Sequence, residues 1–89
     1  MGNRIKFSSS FKKSYEKHIK TNPILQRKFE EKLAVFVENI KDPRLRTHKL
    51  SGKLEDLWSF TIDYDCRVIF YFDEDVIILT DIGTHDEVY

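Results

Sequence analysis

The apolar residues of this 89-residue chain change their spacing once, beyond the Asp42-Pro43 pair. Before it they recur every three or four positions. Phe11, Tyr15, His18 and Ile19 fall at i, i+4, i+7 and i+8, and Leu25, Phe29, Leu33, Phe36, Val37 and Ile40 repeat the pattern. That spacing lines one face of a helix with 3.6 residues per turn. After the switch, Trp58, Phe60, Ile62 and Tyr64 alternate with Ser59, Thr61 and Asp63, the period-2 mark of a strand with one buried face. The two halves therefore fit only a fold that joins helices to a sheet.

Turn and capping residues place the boundaries. "RIKFS" alternates Ile5 and Phe7 and reads as a short opening strand. Ser8, Ser9 or Ser10 then caps a helix, because a serine hydroxyl accepts from the free amides of the first turn. Asn22 caps a second helix, with Pro23 at its first position, and Asp42-Pro43 stops it. The basic stretch that follows, "RLRTHKLSGK", is not helical in pattern. "DYDC" is a tight connection from "LWSFTIDY" to "RVIFYF", and "DEDV" is an acidic turn whose residues suit turn geometry and solvation. "VIILTDI" is nearly all apolar, as expected of a central strand covered on both faces. The expected fold is α+β: a two-layer βααβββ domain over residues 1–89, an antiparallel sheet packed against a helical hairpin. The opening strand is expected to pair on the edge of the meander.

A domain of this length buries about 60–65% of its unfolded surface, which leaves little room for a deep pocket. Chemistry is expected on an open groove, with a macromolecular partner supplying the enclosure. The single cysteine, Cys66, allows neither an internal disulfide nor a CxxC metal pattern. It reads as an ordinary strand residue. "MGNRIKF" holds no apolar run suited to a signal peptide or membrane span. A cytoplasmic protein with no membrane association is the expectation.

The formal net charge is zero, yet it is strongly divided. Residues 1–50 carry thirteen Lys or Arg against five acids, and residues 51–89 carry two bases against ten acids. Such asymmetry between halves suits a polyanion or an oppositely charged partner. Lys12, Lys13, Lys17 and Lys20 read as the solvated face of the first helix. Arg44, Arg46, Lys49 and Lys53, in the non-helical basic stretch, are candidates for holding a phosphate backbone.

No serine elbow, P-loop, HExxH or zinc-ligand pairing is present, so acyl transfer, nucleotide hydrolysis and metalloproteolysis lack their residues. No cofactor or metal is expected. RNA cleavage by the substrate's own 2′-hydroxyl needs only a base, an acid and a group that stabilises the phosphorane. Histidine suits both proton roles. His85 has Asp86 and Glu87 beside it, which favour its charged form and the acid role. Arg67 offers a planar fork matched to phosphate, or alternatively a partner for Asp63 or Asp65. Tyr89 or Trp58 could stack on a base, although the alternation assigns Trp58 to the core. The residues alone fit a nuclease and a binding module equally.

Taken whole, the chain resembles the RelE/ParE superfamily of bacterial toxin–antitoxin toxins, and most closely its YafQ-like and RelE/StbE-type mRNA interferases. "HKLSGKLEDLWSFTIDYDCRVIFYF" and the closing "LTDIGTHDEVY" carry the resemblance. It implies the βααβββ order, a small endoribonuclease that cuts mRNA on the ribosome, and a cognate antitoxin held in a hetero-oligomer. It also implies functional roles for His48, Asp65, His85 and Tyr89, and a phosphate contact for Arg67. With His85 as acid, the base is His48 or Asp65. Two positions depart from the YafQ-like pattern: a second histidine before the aspartate is Thr61 here, and the tryptophan after it is Cys66. The superfamily also implies two other readings, a non-catalytic ParE-like inhibitor of DNA gyrase and a degenerate toxin that only binds its antitoxin. In each case the basic half suits an acidic antitoxin, whose amphipathic helix would lie on the exposed sheet or helix surface.

Overall fold

The computed structural model describes residues 4–50 and 56–84. Strand β1 (Arg4–Phe7) leads into helix α1 (Ser9–His18) and helix α2 (Pro23–Glu38). A single 3-10 turn, Pro43–Leu45, is followed by the two-residue strand β2 (His48–Lys49), then β3 (Trp58–Asp63), β4 (Cys66–Asp73) and β5 (Val76–Gly83). The five strands form one sheet in the order β1-β5-β4-β3-β2. Neighbours are antiparallel except β1, which runs parallel to β5. The opening strand does pair on the edge of the meander, and the sheet is consequently mixed. None of the described helices is long and apolar enough to cross a membrane.

Both helix starts follow the capping residues. The Ser8 hydroxyl accepts from the Phe11 amide at 3.0 Å, and the Asn22 side chain accepts from the Leu25 amide at 3.2 Å with Pro23 behind it. The second helix ends at Glu38, short of Ile40, although Ile40 still packs against the core. The basic stretch differs from a featureless loop. It opens with the 3-10 turn and then pairs with β3, so that His48 faces Ser59 and Lys49 faces Trp58. Two-residue strands carry too little alternation to be seen in sequence.

α1 packs chiefly on β5 and α2 on β3. Ser10 donates to the Thr80 carbonyl at 2.8 Å, and Ser14 donates to the Asp81 carboxylate, so a row of serines fastens α1 to β5. At the centre stand three fully buried rings. Phe36 of α2 stacks on Phe60 of β3 at 4.2 Å and meets Phe70 of β4 edge-on at 4.9 Å. Phe11, Ile19, Ile62, Val68, Leu79 and Ile82 fill the space around them.

Two features depart from the alternation. Tyr64, expected as the last inward residue of its strand, sits in the turn after β3 and is 95% exposed. The strand ends at Asp63, so Tyr64 falls in the two-residue turn, next to a bulge in which Thr61 faces Arg67, Asp63 faces Cys66 and Ile62 is the extra residue. β5 is central in position, but its second face is only partly covered. Ile77 and Leu79 are buried, whereas Val76 and Ile78 are half-buried. The acidic turn behaves as expected of a turn, with Glu74 at φ 56° in the left-handed region.

Truncating Phe36 to alanine removes a ring that contacts two strands at once. We expect Phe36→Ala to cost about 3–5 kcal/mol in urea unfolding, a large share of the roughly 5–15 kcal/mol available to a domain. A loss below about 1 kcal/mol would mean that α2 is held by other contacts.

Candidate active site

The site is built at the end of the sheet where β3 turns into β4. An open concavity of about 940 Å³ lies there, lined by Lys28, Glu31 and Lys32 of α2, Arg46 and His48 of the basic segment, and residues 61–65 and 67 of the hairpin. Five consecutive residues, Thr61 to Asp65, reach the same hollow because the bulge and the turn break the pleat. A regular strand would send alternate side chains to the other face.

His48 is exposed on β2, against the edge of β3. Its Nδ1 lies 3.0 Å from the Arg46 carbonyl oxygen. A carbonyl only accepts, so Nδ1 carries the hydrogen and donates it. That leaves Nε2 as the basic nitrogen of the ring. Arg46 earns this geometry from its backbone, at φ 52° and ψ 41° in the left-handed region, where it caps the 3-10 turn. A non-glycine residue there costs roughly 1–2 kcal/mol, and strain of this kind is often held at functional sites.

Arg67 is half-buried and opens the middle of the sheet, opposite Thr61 on one side and Gly83 on the other. Asp65 is exposed on the turn two residues before it. Asp63 has a separate task. Its carboxylate accepts from Lys28 Nζ at 2.9 Å, which ties α2 to the base of the turn. That hydrogen bond, together with one from the Tyr64 backbone, lowers the Asp63 pKa below its usual 3.8. Asp63 is therefore a partner of Lys28.

The residues proposed from sequence divide into three groups. His48, Asp65, Arg67 and Arg46 line one hollow. Arg44 and Lys49 stand outside it. Arg44 is held at 2.9 Å through both Nε and Nη2 by Asp42, whose carboxyl falls to about 2 because Arg44 donates to it from side chain and backbone. Lys49 is exposed on β2, one residue from His48 and so on the other side of the strand. Lys53, His85 and Tyr89 lie outside the described residues. The last described residues of β5 do run toward the site, since Gly83 is the partner of Arg67. Thr84 lines a second hollow of about 380 Å³ with His18, Asp63, Asp65 and Cys66. Asp63 and Asp65 border both hollows, so the turn is the ridge between them. Cys66 is buried, as expected of a strand residue.

Lys28, Glu31, Lys32 and Tyr64 were not legible as site residues. The two lysines had a faint signal. At 100° per residue, Lys32 and Lys28 lie about 40° and 80° from Phe36 around the helix, on the flank of its buried stripe. Among the described residues, no group of three or more His, Cys, Asp or Glu is arranged to hold a metal ion.

A family model described as "Bacterial toxin of type II toxin-antitoxin system, YafQ" matches residues 3–89. No curated protein matches the chain. Among solved structures, YafQ from E. coli strain BL21(DE3) superposes with a TM-score of 0.81 at 15% identity over 98% of each chain. A chain of the E. coli DinJ-YafQ toxin–antitoxin complex gives 0.79 at 15% identity, covering 100% of this chain and 99% of that one. A copper-bound mutant toxin from Helicobacter pylori gives 0.79 at 23% identity over the full length of both. These likenesses establish the fold.

The Lys28–Asp63 pair is two-fifths to one-third exposed at its side chains, so its contribution is that of a surface pair, below about 1 kcal/mol. Because the folded pKa of Asp63 is lowered, the stabilisation is present above the ordinary aspartate value and is lost as the pH falls through the lower folded value. Lys28→Met should therefore be slightly less stable than wild type at pH 7, with the gap closing as the pH falls below the ordinary aspartate value of 3.8. Urea unfolding across that range checks it, and a gap that is independent of pH would refute the pairing.

Proposed function

The chain belongs to the YafQ family of bacterial toxins of type II toxin–antitoxin systems, and on that premise we propose that it is a ribosome-dependent mRNA endoribonuclease. The observation that carries this reading is the meeting of His48, Asp65, Arg67 and Arg46, from separate segments, in one open hollow.

The step consists of attack by the RNA 2′-oxygen on the adjacent phosphorus. A base takes the 2′-hydroxyl proton, the bond from phosphorus to the 5′-oxygen breaks, and an acid returns a proton to that oxygen. The products are a 2′,3′-cyclic phosphate and a 5′-hydroxyl end. The nucleophile comes from the substrate, so the protein supplies only proton transfer and charge stabilisation. His48 suits the base because its Nδ1 hydrogen is already committed to the Arg46 carbonyl, which orients the ring and leaves Nε2 to accept. Asp65 is the second candidate for that role. Arg67 stabilises the phosphorane through its planar fork.

His85 is the acid in this scheme, two residues beyond the Gly83 that pairs with Arg67. Tyr89 closes the same tail. Arg46 holds a phosphate at the groove, Lys49 and Arg44 hold the RNA backbone outside it, and Lys53 is a further backbone contact. The ribosome supplies the enclosure that an open hollow lacks, which places the protein in the cytoplasm. The DinJ-YafQ complex of E. coli pairs a similar toxin with an antitoxin. By analogy this chain forms a hetero-oligomer with its own, for which the basic first half suits an acidic protein.

Induced expression with primer extension on a reporter mRNA tests the reading. Wild type should arrest growth and create new transcript ends. His48→Ala and Arg67→Ala should each keep native circular dichroism and lose about 10²–10⁴-fold in cleavage. Growth arrest with DNA damage and no new transcript ends would instead support gyrase poisoning, and no arrest at all would support a degenerate toxin. Either outcome overturns the nuclease assignment.

A further inference from the structure

Tyr64 is the most exposed of the large hydrophobic side chains in the described structure, at 95% against 68% for Ile24. It occupies the first position of a two-residue turn, between Asp63, which is tied to Lys28, and Asp65. Local physics does not ask for an aromatic there. Two-residue connections favour Gly, Asn, Asp or Pro, each for a backbone or capping reason, and a tyrosine this exposed buries almost nothing in return. Tyr64 nevertheless lines the hollow that contains His48, Arg46 and Arg67. The turn that carries it is anchored at one end by the Lys28–Asp63 pair and at the other by Cys66, buried in the core. A local rule broken without structural gain is a mark of function.

We propose that Tyr64 is a stacking platform for a base of single-stranded RNA next to the cleaved linkage. Resting on the nuclease reading above, this adds a specificity-determining residue to that same site. The groove then divides its work: Arg46 and Arg67 meet phosphate while the Tyr64 ring meets a base face. Every base has such a face, so the contact supplies affinity and register and depends little on hydrogen-bond readout.

The test uses the full chain and a single-stranded RNA oligonucleotide with 2′-O-methyl groups throughout, which binds without being cut. Tyr64→Ala should weaken binding about 5- to 150-fold and leave the salt dependence of binding unchanged, since no phosphate contact is removed. Arg46→Ala should instead reduce the salt slope by about one unit. Tyr64→Phe should bind like wild type, and Tyr64→Trp should bind at least as well, with its fluorescence quenched by the oligonucleotide. Ribosome-programmed cleavage of unmodified mRNA should fall in Tyr64→Ala by a similar factor. Unfolding midpoints should not move, because the ring is solvent-exposed. If Tyr64→Ala binds and cuts as wild type does, or if Tyr64→Phe loses as much as Tyr64→Ala, the stacking role is wrong. If Tyr64→Ala weakens only capture of the antitoxin, the turn is a protein contact and the proposal fails. A wild-type chain that neither binds nor cuts RNA would overturn the nuclease reading itself.

Discussion

The contact on which the molecule depends is the one between Phe36 and the pair Phe60 and Phe70. Three rings, none exposed to solvent, join α2 to adjacent strands at centroid separations of 4.2 to 6.0 Å. Aromatic side chains bury more area than any others and interlock in a few orientations. A helix fixed in this way has no freedom to roll, so residues on its flank acquire fixed positions too. Lys28 and Lys32 are such residues. One Lys–Asp pair is too weak to dock a helix, but once the rings have docked it, Lys28 lands on Asp63 and braces the turn that carries Tyr64 and Asp65.

The groove is thus a by-product of how three irregularities meet. The bulge at Ile62 bends the end of β3, the left-handed residue Arg46 turns the basic segment back, and β2 lays His48 along the sheet edge. Each alone is a local defect. Together they set a histidine, an arginine and a carboxylate around one hollow. Arg46 is the link between backbone and chemistry, since its strained conformation presents the carbonyl that fixes the His48 ring.

The divided charge acquires a spatial meaning. The basic half forms β1, both helices and the basic segment, while the acidic half forms β3 to β5. Its exposed acidic turn, Asp73 to Asp75, lies at the far end of β4 from Arg67. With about 3.3 Å per strand residue, that separation is roughly 20 Å, two Debye lengths at physiological salt. The hollow at the Arg67 end is itself mixed: Lys28, Lys32, Arg46 and Arg67 share it with Glu31, Asp63 and Asp65, four bases against three acids, while the acids of the 73–75 turn project from the other end.

Element order, helix caps and the core face were legible in the residues, because hydrophobic spacing and capping chemistry act over a few neighbours. Ser8, Asn22 and Pro23 do what their side chains dictate wherever they occur, and Phe11, Phe29, Phe36 and Phe60 face inward because their period leaves them no other course. The parallel pairing of β1, the strand at His48–Lys49 and the outward position of Tyr64 were not legible. The first two depend on partners distant in the chain, and the third on where β3 gives way to its turn, which the continuing alternation of residue types does not mark. Sequence named the groups capable of acid–base and phosphate chemistry, whereas tertiary structure alone decided which of them share a hollow. Proximity of side chains far apart in sequence is set by packed helices and strand register, and neither is encoded in any short stretch of residues.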